Sequence, residues 1–435
     1  MPIILNKEKL IGAEGLSASE RKLRREGLEI LEAGLSAIDT KSILSKKVRM
    51  EGGMLCVDDK SFACSSYERI FFIGIGKCAF DGAETIEEII GDKLTSGIVV
   101  DVKSGILKRI DSYKGTHPYP SEINVGITRE ILQMIKGVTE RDLVLVLVSG
   151  GGSSLFSMPK NVNAEELVRI TKALTEAGAD IYELNTVRKH LSEVLGGGLA
   201  RLCFPAEVVS LIFSDVLGND LSMVASGPTV LDTTSVDDAK NILRKYSICE
   251  KVGMSCVDLV ETPKDQKYFE RVKNVLVVSN RTALDAMKTK AENLGYSASI
   301  ETEMLKGEAR VVGENLASTE ILGNTCLLFG GETTVSIKGD GDGGRNQELA
   351  LSALLSVRDH TILISSSSDG WDNTEFAGAL ADRALRTKSE QMGLEIGDYL
   401  ERNDSFNYFE KVCGGIYTGR LGSNVSDLVI MLNNK

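Results

Sequence analysis

Leu143-Val-Leu-Val-Leu-Val-Ser149-Gly-Gly-Gly-Ser-Ser-Leu-Phe-Ser-Met-Pro159 is the stretch from which the fold is read. Leu143 to Val148 is an unbroken apolar run, half of it β-branched, which suits a strand buried on both faces of a parallel sheet. The run breaks into Ser149, Gly150, Gly151, Gly152, Ser153 and Ser154. Glycines allow backbone N–H groups to converge on an anion without interference from Cβ atoms, and the hydroxyls add donors. The loop sits at a strand's C-terminal end, where open α/β sheets bind ligands. A phosphate or carboxylate suits it; a tight β-to-α turn with nothing bound uses the same residues.

Upstream, Arg69 to Ile73 reads as a strand entering Gly74-Ile-Gly76-Lys77-Cys78-Ala79, followed by a helix to about Ile90. The next strand, Gly97 to Asp101, ends on an acid. Together these outline a dinucleotide turn with a ribose partner. The competing reading gives the work to Lys77, a cation at a helix N-terminus beside free N–H groups, placed for phosphate or carboxylate. A solvated lysine is the plain alternative. Further on, Gly115-Thr-His117-Pro-Tyr-Pro120 is an extended turn leading to a helix near Ser121. His117 is one of three histidines, too few and too scattered for a zinc site or a Ser-His-Asp triad, so a hydrogen-bonded structural role is expected for it.

Downstream, Glu183-Leu-Asn185-Thr-Val-Arg188-Lys189-His190-Leu-Ser192 is a polar run on a helix, with Asn185 and Arg188 on one face. A solvated face or a site both fit, and the following Gly196-Gly-Gly198 favours a site. Strand Val208 to Phe213 ends in Ser214-Asp215, then Ala225-Ser226-Gly227-Pro228. A carboxylate directly after a core strand needs a partner, and α/β enzymes present metal ligands and bases there.

Composition shifts between about 246 and 272, which sets the expected domains at 1–255 and 270–435. The second part begins with strand Asn274 to Ser279 and a helix to Leu294. Strand Thr325 to Phe329 opens Gly330-Gly331-Glu332-Thr333-Thr334. A short strand is then expected before Gly339-Asp-Gly-Asp-Gly-Gly344-Arg345-Asn346, which fails as a calcium loop because Gly344 and Arg345 stand at ligand and turn positions. It reads instead as a flexible hinge delivering Arg345 to the start of an amphipathic helix, suited to a bidentate oxyanion clamp. Strand Ile362 to Ile364 leads to Asp369-Gly370-Trp-Asp372, and the tail carries Ser423-Asn424.

The bulk numbers narrow the class. A net charge of -12 over 435 residues argues against a nucleic-acid surface. Eight cysteines without C-x-x-C spacing read as reduced thiols. The N-terminal residues lack a signal-peptide pattern and no apolar run approaches a membrane span, so a cytoplasmic protein is expected.

Taken in order, GIGK, THPYPSE, VSGGGSSL, NTVRKHLS, SDVLGND, ASGPTV, GGETTV, GDGGRNQELAL, AGALAD and GSNVSD resemble the glycerate 2-kinase family with a MOFRL-type C-terminal domain. The resemblance implies an α/β protein of two domains, an N-terminal Rossmann-like parallel sheet with helices on both faces and a C-terminal α/β domain, with the active site in the cleft between them. It implies ATP-dependent phosphorylation of D-glycerate to 2-phosphoglycerate with Mg2+, a small-molecule substrate and a nucleotide as partners, and a homodimer as one assembly. The family's important Lys and Arg fall on Lys77 and Arg345, with Asp215 as a third catalytic candidate. Ser149, Gly150, Gly151, Gly152, Ser153, Asn185, Arg188, Ser226 and Gly227 become candidates for substrate and phosphate. Glu332, Thr333, Asn346 and Asn424 become candidates for nucleotide, and Asp215 and Asp369 for metal. The chain departs from the family's pattern at Leu195, where a Lys is usual, at Asn373, and at Arg420-Leu421. An NAD(P)H-dependent hydroxypyruvate reductase and a non-enzymatic metabolite sensor are the alternatives.

Overall fold

The computed structural model describes residues 2–254 and 257–435. Cys256 lies outside them, and the other seven cysteines are free thiols. Ile43–Val277 forms one unit, and Val278–Lys435 together with the first 42 residues forms a second.

The first unit opens with a small antiparallel sheet of β1 (Val48–Glu51), β2 (Met54–Val57) and β3 (Lys60–Ala63). Its main sheet contains β4 (Arg69–Ile75), β5 (Ser96–Asp101), β6 (Ile110–Lys114), β7 (Asp142–Val148), β8 (Glu207–Phe213) and β9 (Val272–Val278). Their order is β6-β5-β4-β7-β8-β9, and the pairs from β6 to β8 are parallel. This is the doubly wound order 3-2-1-4-5-6, and it reverses between β4 and β7. Every residue of β7 is buried, as its unbroken apolar run requires. Val144, Val146 and Val148 pack with Ile127 and Ile131 of helix Glu122–Met134. Leu147, on the opposite face of the pleat, reaches Gly82 of helix Ala79–Ile90. Helices therefore cover both faces, as expected. A separate core joins helices Ala164–Glu176, Ile181–His190 and Val236–Lys245 through Ile170, Leu174, Val187 and Leu243.

The second unit is a mixed sheet of β10 (Ser297–Leu305), β11 (Asn324–Gly331), β12 (Thr361–Ser367), β13 (Gly378–Asp382), β14 (Gly415–Ile416) and β15 (Asp427–Asn434). The order is β10-β11-β15-β12-β13-β14, with β10 and β11 parallel and the other neighbours antiparallel. On β12, Ile362 and Ile364 meet Gly27 of the N-terminal helix Ala18–Ala37, whereas the Ser365 hydroxyl turns to Asn346. The two helices thus lie on opposite faces of this strand.

Several expectations differ from these observations. The expected boundary assigned residues 1–42 to the N-terminal domain, but helix Ala18–Ala37 packs on β12, β15 and helix Asn280–Asn293. Its capping box between Ser17 and Glu20 is as expected. No strand forms between Thr334 and Gly339; Thr334 makes only an isolated bridge to Glu308. Helix Arg345–Ala353 is not amphipathic, since Asn346 through Ala353 are all buried.

Arg24 ties helix Ala18–Ala37 to this unit. Its guanidinium donates to Asp382 through Nε (2.6 Å) and Nη2 (2.9 Å) and to the Leu10 carbonyl, at 1% exposure. Asp382 in turn accepts from the Leu385 N–H at the start of helix Arg383–Gln391. Removing one partner of a buried pair leaves the other charge desolvated and unpaired. Arg24→Ala should therefore destabilise this unit by about 3–5 kcal/mol in urea unfolding. Lys22→Ala, which removes only an exposed i,i+4 pair with Glu26, should cost no more than about 0.5 kcal/mol.

Candidate functional site

Pairing of β4 with β7 runs from Arg69 opposite Asp142 to Ile75 opposite Val148 and continues into the loops beyond. The Ile75 carbonyl accepts from the Ser149 N–H and hydroxyl, and the Lys77 N–H donates to the Gly150 carbonyl at 3.0 Å. The two glycine-rich turns are thereby clasped side by side at the point where strand order reverses. Gly76 faces Ser149 and Gly150 faces the Asp215 carboxylate so closely that neither position has space for a Cβ. Within the clasped loop, the N–H groups of Gly150, Gly151 and Ser153 donate to no acceptor among the described residues. Gly151 is left-handed at φ 81°, the alternation that curves a backbone into an anion-binding nest.

Two cations flank this loop. The Lys77 side chain runs against Gly151, and its ammonium forms no ion pair among the described residues. Arg188, on helix Ile181–His190, shares a pocket with Ser153, Ser154 and Leu195, and its guanidinium makes no hydrogen bond or ion pair among the described residues. Burial lowers the Arg188 pKa from its ordinary value, yet a guanidinium stays charged, so a desolvated cation is left facing the pocket. Its neighbour Lys189 is used differently: it is buried in an ion pair with Asp232 at 3.2 Å. Burial raises the Asp215 carboxyl, with Lys77 opposing that shift.

A hydroxyl chain links the loop to the segment after β8. Ser153 Oγ lies 2.8 Å from Ser226 Oγ, which donates to Asn185 Oδ1 at 3.0 Å. Ala225, Ser226 and Gly227 are all left-handed, at φ 49°, 57° and 59°. For the first two this is a strained conformation, of the kind that clusters at functional sites. The Ser226 and Gly227 carbonyls accept from the Gly196 and Gly197 N–H groups, so the glycines after the polar helix are used for backbone contact.

In the second unit, Asp372 accepts at Oδ1 from Asn346 N and at Oδ2 from Gln347 N (2.9 Å), capping helix Arg345–Ala353 from a distant loop. Arg345 grips Asp427 with Nε (2.6 Å) and Nη2 (3.0 Å) and reaches Glu332 with Nη1 (3.0 Å). Asn346 Nδ2 bridges Asp372 and Asp427. Burial and the nearby Asp427 push the Asp372 carboxyl up to about 6. Burial also raises Asp427, against the opposing pull of Arg345 and Asn346. Asp369 accepts from the Ser367 hydroxyl and the Trp371 N–H, and Asn424 holds the Ser426 N–H. Thr333 is buried beside Glu332.

The structure gathers Lys77, Ser149, Gly150, Gly151, Gly152, Ser153, Asn185, Arg188, Asp215, Ser226 and Gly227 at one end of the first sheet. It gathers Arg345, Asn346 and Glu332 in the second unit, with Asp372 and Asp427 as partners that the candidate set omitted. Their visible signal was a lone acid, Asp372 in a loop and Asp427 at the start of a strand, too common to single out. Four readings are corrected. The N–H groups beside Lys77 are not free, because Cys78 donates to Ser149 Oγ and Phe80 to Asp101 Oδ2. Asp101 is fully buried and also caps Val102, so it is spent on the turn and cannot serve a ribose, which removes the support for the reductase reading. The Gly339–Gly344 run is no hinge: Gly341 N donates to the Arg402 carbonyl, and Cβ atoms at 339, 341, 343 and 344 would strike neighbouring residues. His117 likewise makes no ring hydrogen bond among the described residues; it abuts Gly151, and partial burial with Lys77 holds its pKa below the usual range.

Two family models match the chain: one described as a domain of unknown function (DUF4147) over residues 27–261, and the MOFRL family over 325–427. D-glycerate 2-kinase from Thermotoga maritima is 39% identical over 381 residues, covering 84% of this chain and 91% of that protein. Glycerate 2-kinase from Pyrococcus horikoshii is 36% identical, covering 94% and 97%. The crystal structure of glycerate kinase from Thermotoga maritima superposes with a TM-score of 0.83 at 34% identity, covering 95% of this chain and 99% of that one.

The Arg345 cluster carries its own test. With Arg345→Ala, Asp427 would stay buried beside Asp372 without a counter-cation. That variant should lose about 3 kcal/mol in urea unfolding, and Arg345→Lys should recover only part because the two-pronged contact is lost. Stability must therefore be measured before any kinetic loss in Arg345→Ala is read as catalysis.

Proposed function

The chain belongs to the glycerate kinase family, and from that premise we propose that it transfers the γ-phosphoryl group of ATP to the 2-hydroxyl of D-glycerate, giving ADP and 2-phosphoglycerate. The observation that carries this reading is the nest of three N–H groups in the Ser149–Ser154 loop that meet no acceptor among the described residues, flanked by Lys77, whose charge also acts on Asp215, and by Arg188. Phosphoryl transfer asks little covalent chemistry of a protein; it asks for positioned anions and cations that meet the charge of the transition state. A carboxylate and a phosphate chain must be held together, and an acidic protein supplies cations for them locally.

The nest and Lys77 suit the phosphoryl oxygens, where fixed dipoles act without reorganisation. The Ser153–Ser226–Asn185 chain suits the acceptor's hydroxyls. Asp215, packed on Gly150, offers one carboxylate beside the nest, which fits a Mg2+ ion that prefers one or two carboxylates plus phosphates and waters. Bound there, Mg2+ would neutralise charge on the phosphates. Among the described residues, no cluster of three or more His, Cys, Asp or Glu forms a ready-made metal cage, and Asp369 stands as a second, separate candidate. Work in the cytoplasm is proposed on the free state of the seven described thiols. Among the described residues no helix is long and apolar enough to cross a membrane.

Purified chain given D-glycerate, ATP and Mg2+ should release ADP, and added enolase should yield phosphoenolpyruvate directly, which only the 2-phosphate allows. NADH oxidation with hydroxypyruvate, and no ADP, would overturn the proposal. Lys77→Ala should lower kcat by about 10³-fold, as for a cation on a transferring phosphoryl group. Its melting temperature should stay within about 2 °C, because Lys77 has no ion pair to lose.

A further inference from the structure

We infer that the pocket beside helix Ile181–His190 is the seat of the acceptor's carboxylate, and that its wall at Leu195 restricts it to acceptors with a single carboxylate. This rests on the kinase reading and assigns its two anions to different places.

Among the residues lining this pocket, Arg188 is the one cation; Tyr119, Pro120, Leu167 and Leu195 share the lining with the hydroxyls of Thr171 and four serines, among them Ser153 of the glycine loop. A partly buried charge that meets no partner among the described residues is costly, so a guanidinium kept in this state marks a place for an anion. Its planar fork matches a carboxylate with two parallel hydrogen bonds. Nothing else competes for that fork, in contrast to Arg345 on Asp427 and Lys189 on Asp232.

Leu195 is 3% exposed and Leu167 8%, so this part of the lining is buried, and apart from Arg188 no lining residue offers a positive charge. A second carboxylate pressed against it would be buried unpaired, a penalty that selects against diacids. Ser153 joins the pocket to the Ser153–Ser226 pair, so an acid held by Arg188 presents its neighbouring hydroxyl towards the loop that carries the nest. Lys77 lies against Gly151, in the same loop, and is left for phosphate. Arg188 is thus a substrate-binding residue, and Leu195 a specificity-determining one.

The test uses the full chain. Arg188→Gln should raise the KM for D-glycerate about 30-fold, the loss of a charge-assisted bidentate contact, while the KM for ATP changes by less than about threefold. Arg188→Lys should recover part of the loss. Leu195→Lys should strengthen inhibition by 2-hydroxymalonate, which carries two carboxylates, by about tenfold relative to the KM for D-glycerate, and Leu195→Gln should not. A rise in the KM for ATP with that for glycerate unchanged would place a nucleotide phosphate at Arg188 and overturn the assignment. Unchanged 2-hydroxymalonate inhibition in a folded Leu195→Lys would remove the role of the wall. Calorimetric titration with D-glycerate separates the two readings. If wild type binds it and Arg188→Gln does not, the seat stands even if no ADP is released and the kinase reading falls. Equal binding by both overturns the seat whatever the turnover.

Discussion

Seven residues of parallel pairing between Arg69–Ile75 and Asp142–Val148 are the constraint on which the first unit's candidate site depends. The pairing is pinned at its start by Arg69, which grips the fully buried Asp142 carboxylate at 2.8 and 2.6 Å. At its end it runs on into the loops, through Ser149 to Ile75 and Lys77 to Gly150. A slip of one residue would turn every side chain of β7 to the wrong face, where helices already cover the sheet. With the register held, the two glycine turns meet where strand order reverses. Cys78 and Phe80 then spend their N–H groups on Ser149 and Asp101, and those of Gly150, Gly151 and Ser153 meet no acceptor among the described residues. The candidate anion loop is thus the one after the sheet's fourth strand, not the first βα turn.

The handling of charge follows the same logic. The chain is acidic overall, and its buried cations are mostly matched: Arg24 with Asp382, Lys189 with Asp232, Arg345 with Asp427. Lys189 and Arg188 are adjacent in sequence but face different surroundings. Lys189 pairs with Asp232, whose carboxylate is also held by Thr234, Thr262 and Lys264, which anchors helix Ile181–His190, and Arg188 is presented to a pocket. One helix turn thus carries both the anchor and the pocket-lining charge. In the second unit, Asp372 closes the N-terminus of helix Arg345–Ala353 from a loop that the glycines let approach it closely, so Arg345 and Asn346 are positioned by backbone contacts rather than by a hinge.

Much of this was legible in the residues. β7, β4, β5 and β8 follow from apolar runs broken by glycine, the capping box at Ser17 from its spacing, and the family from ten short motifs in order. Each of these signals is local, carried by neighbours along the chain. What tertiary structure alone decided is which polar groups remain unpaired. Asp101 and Lys77 look alike as site candidates in a sequence, yet one carboxylate is consumed by two N–H groups and the other side chain forms no ion pair among the described residues. The packing of residues 1–42 on the second sheet, the glycines of Gly339–Gly344 as close contacts and the pairing of Arg345 with Asp427 are likewise contacts between segments far apart in the chain. Periodicity and spacing report which residues can be buried or turned; only the folded arrangement determines which donors and charges meet a partner inside the protein and which are left for a ligand.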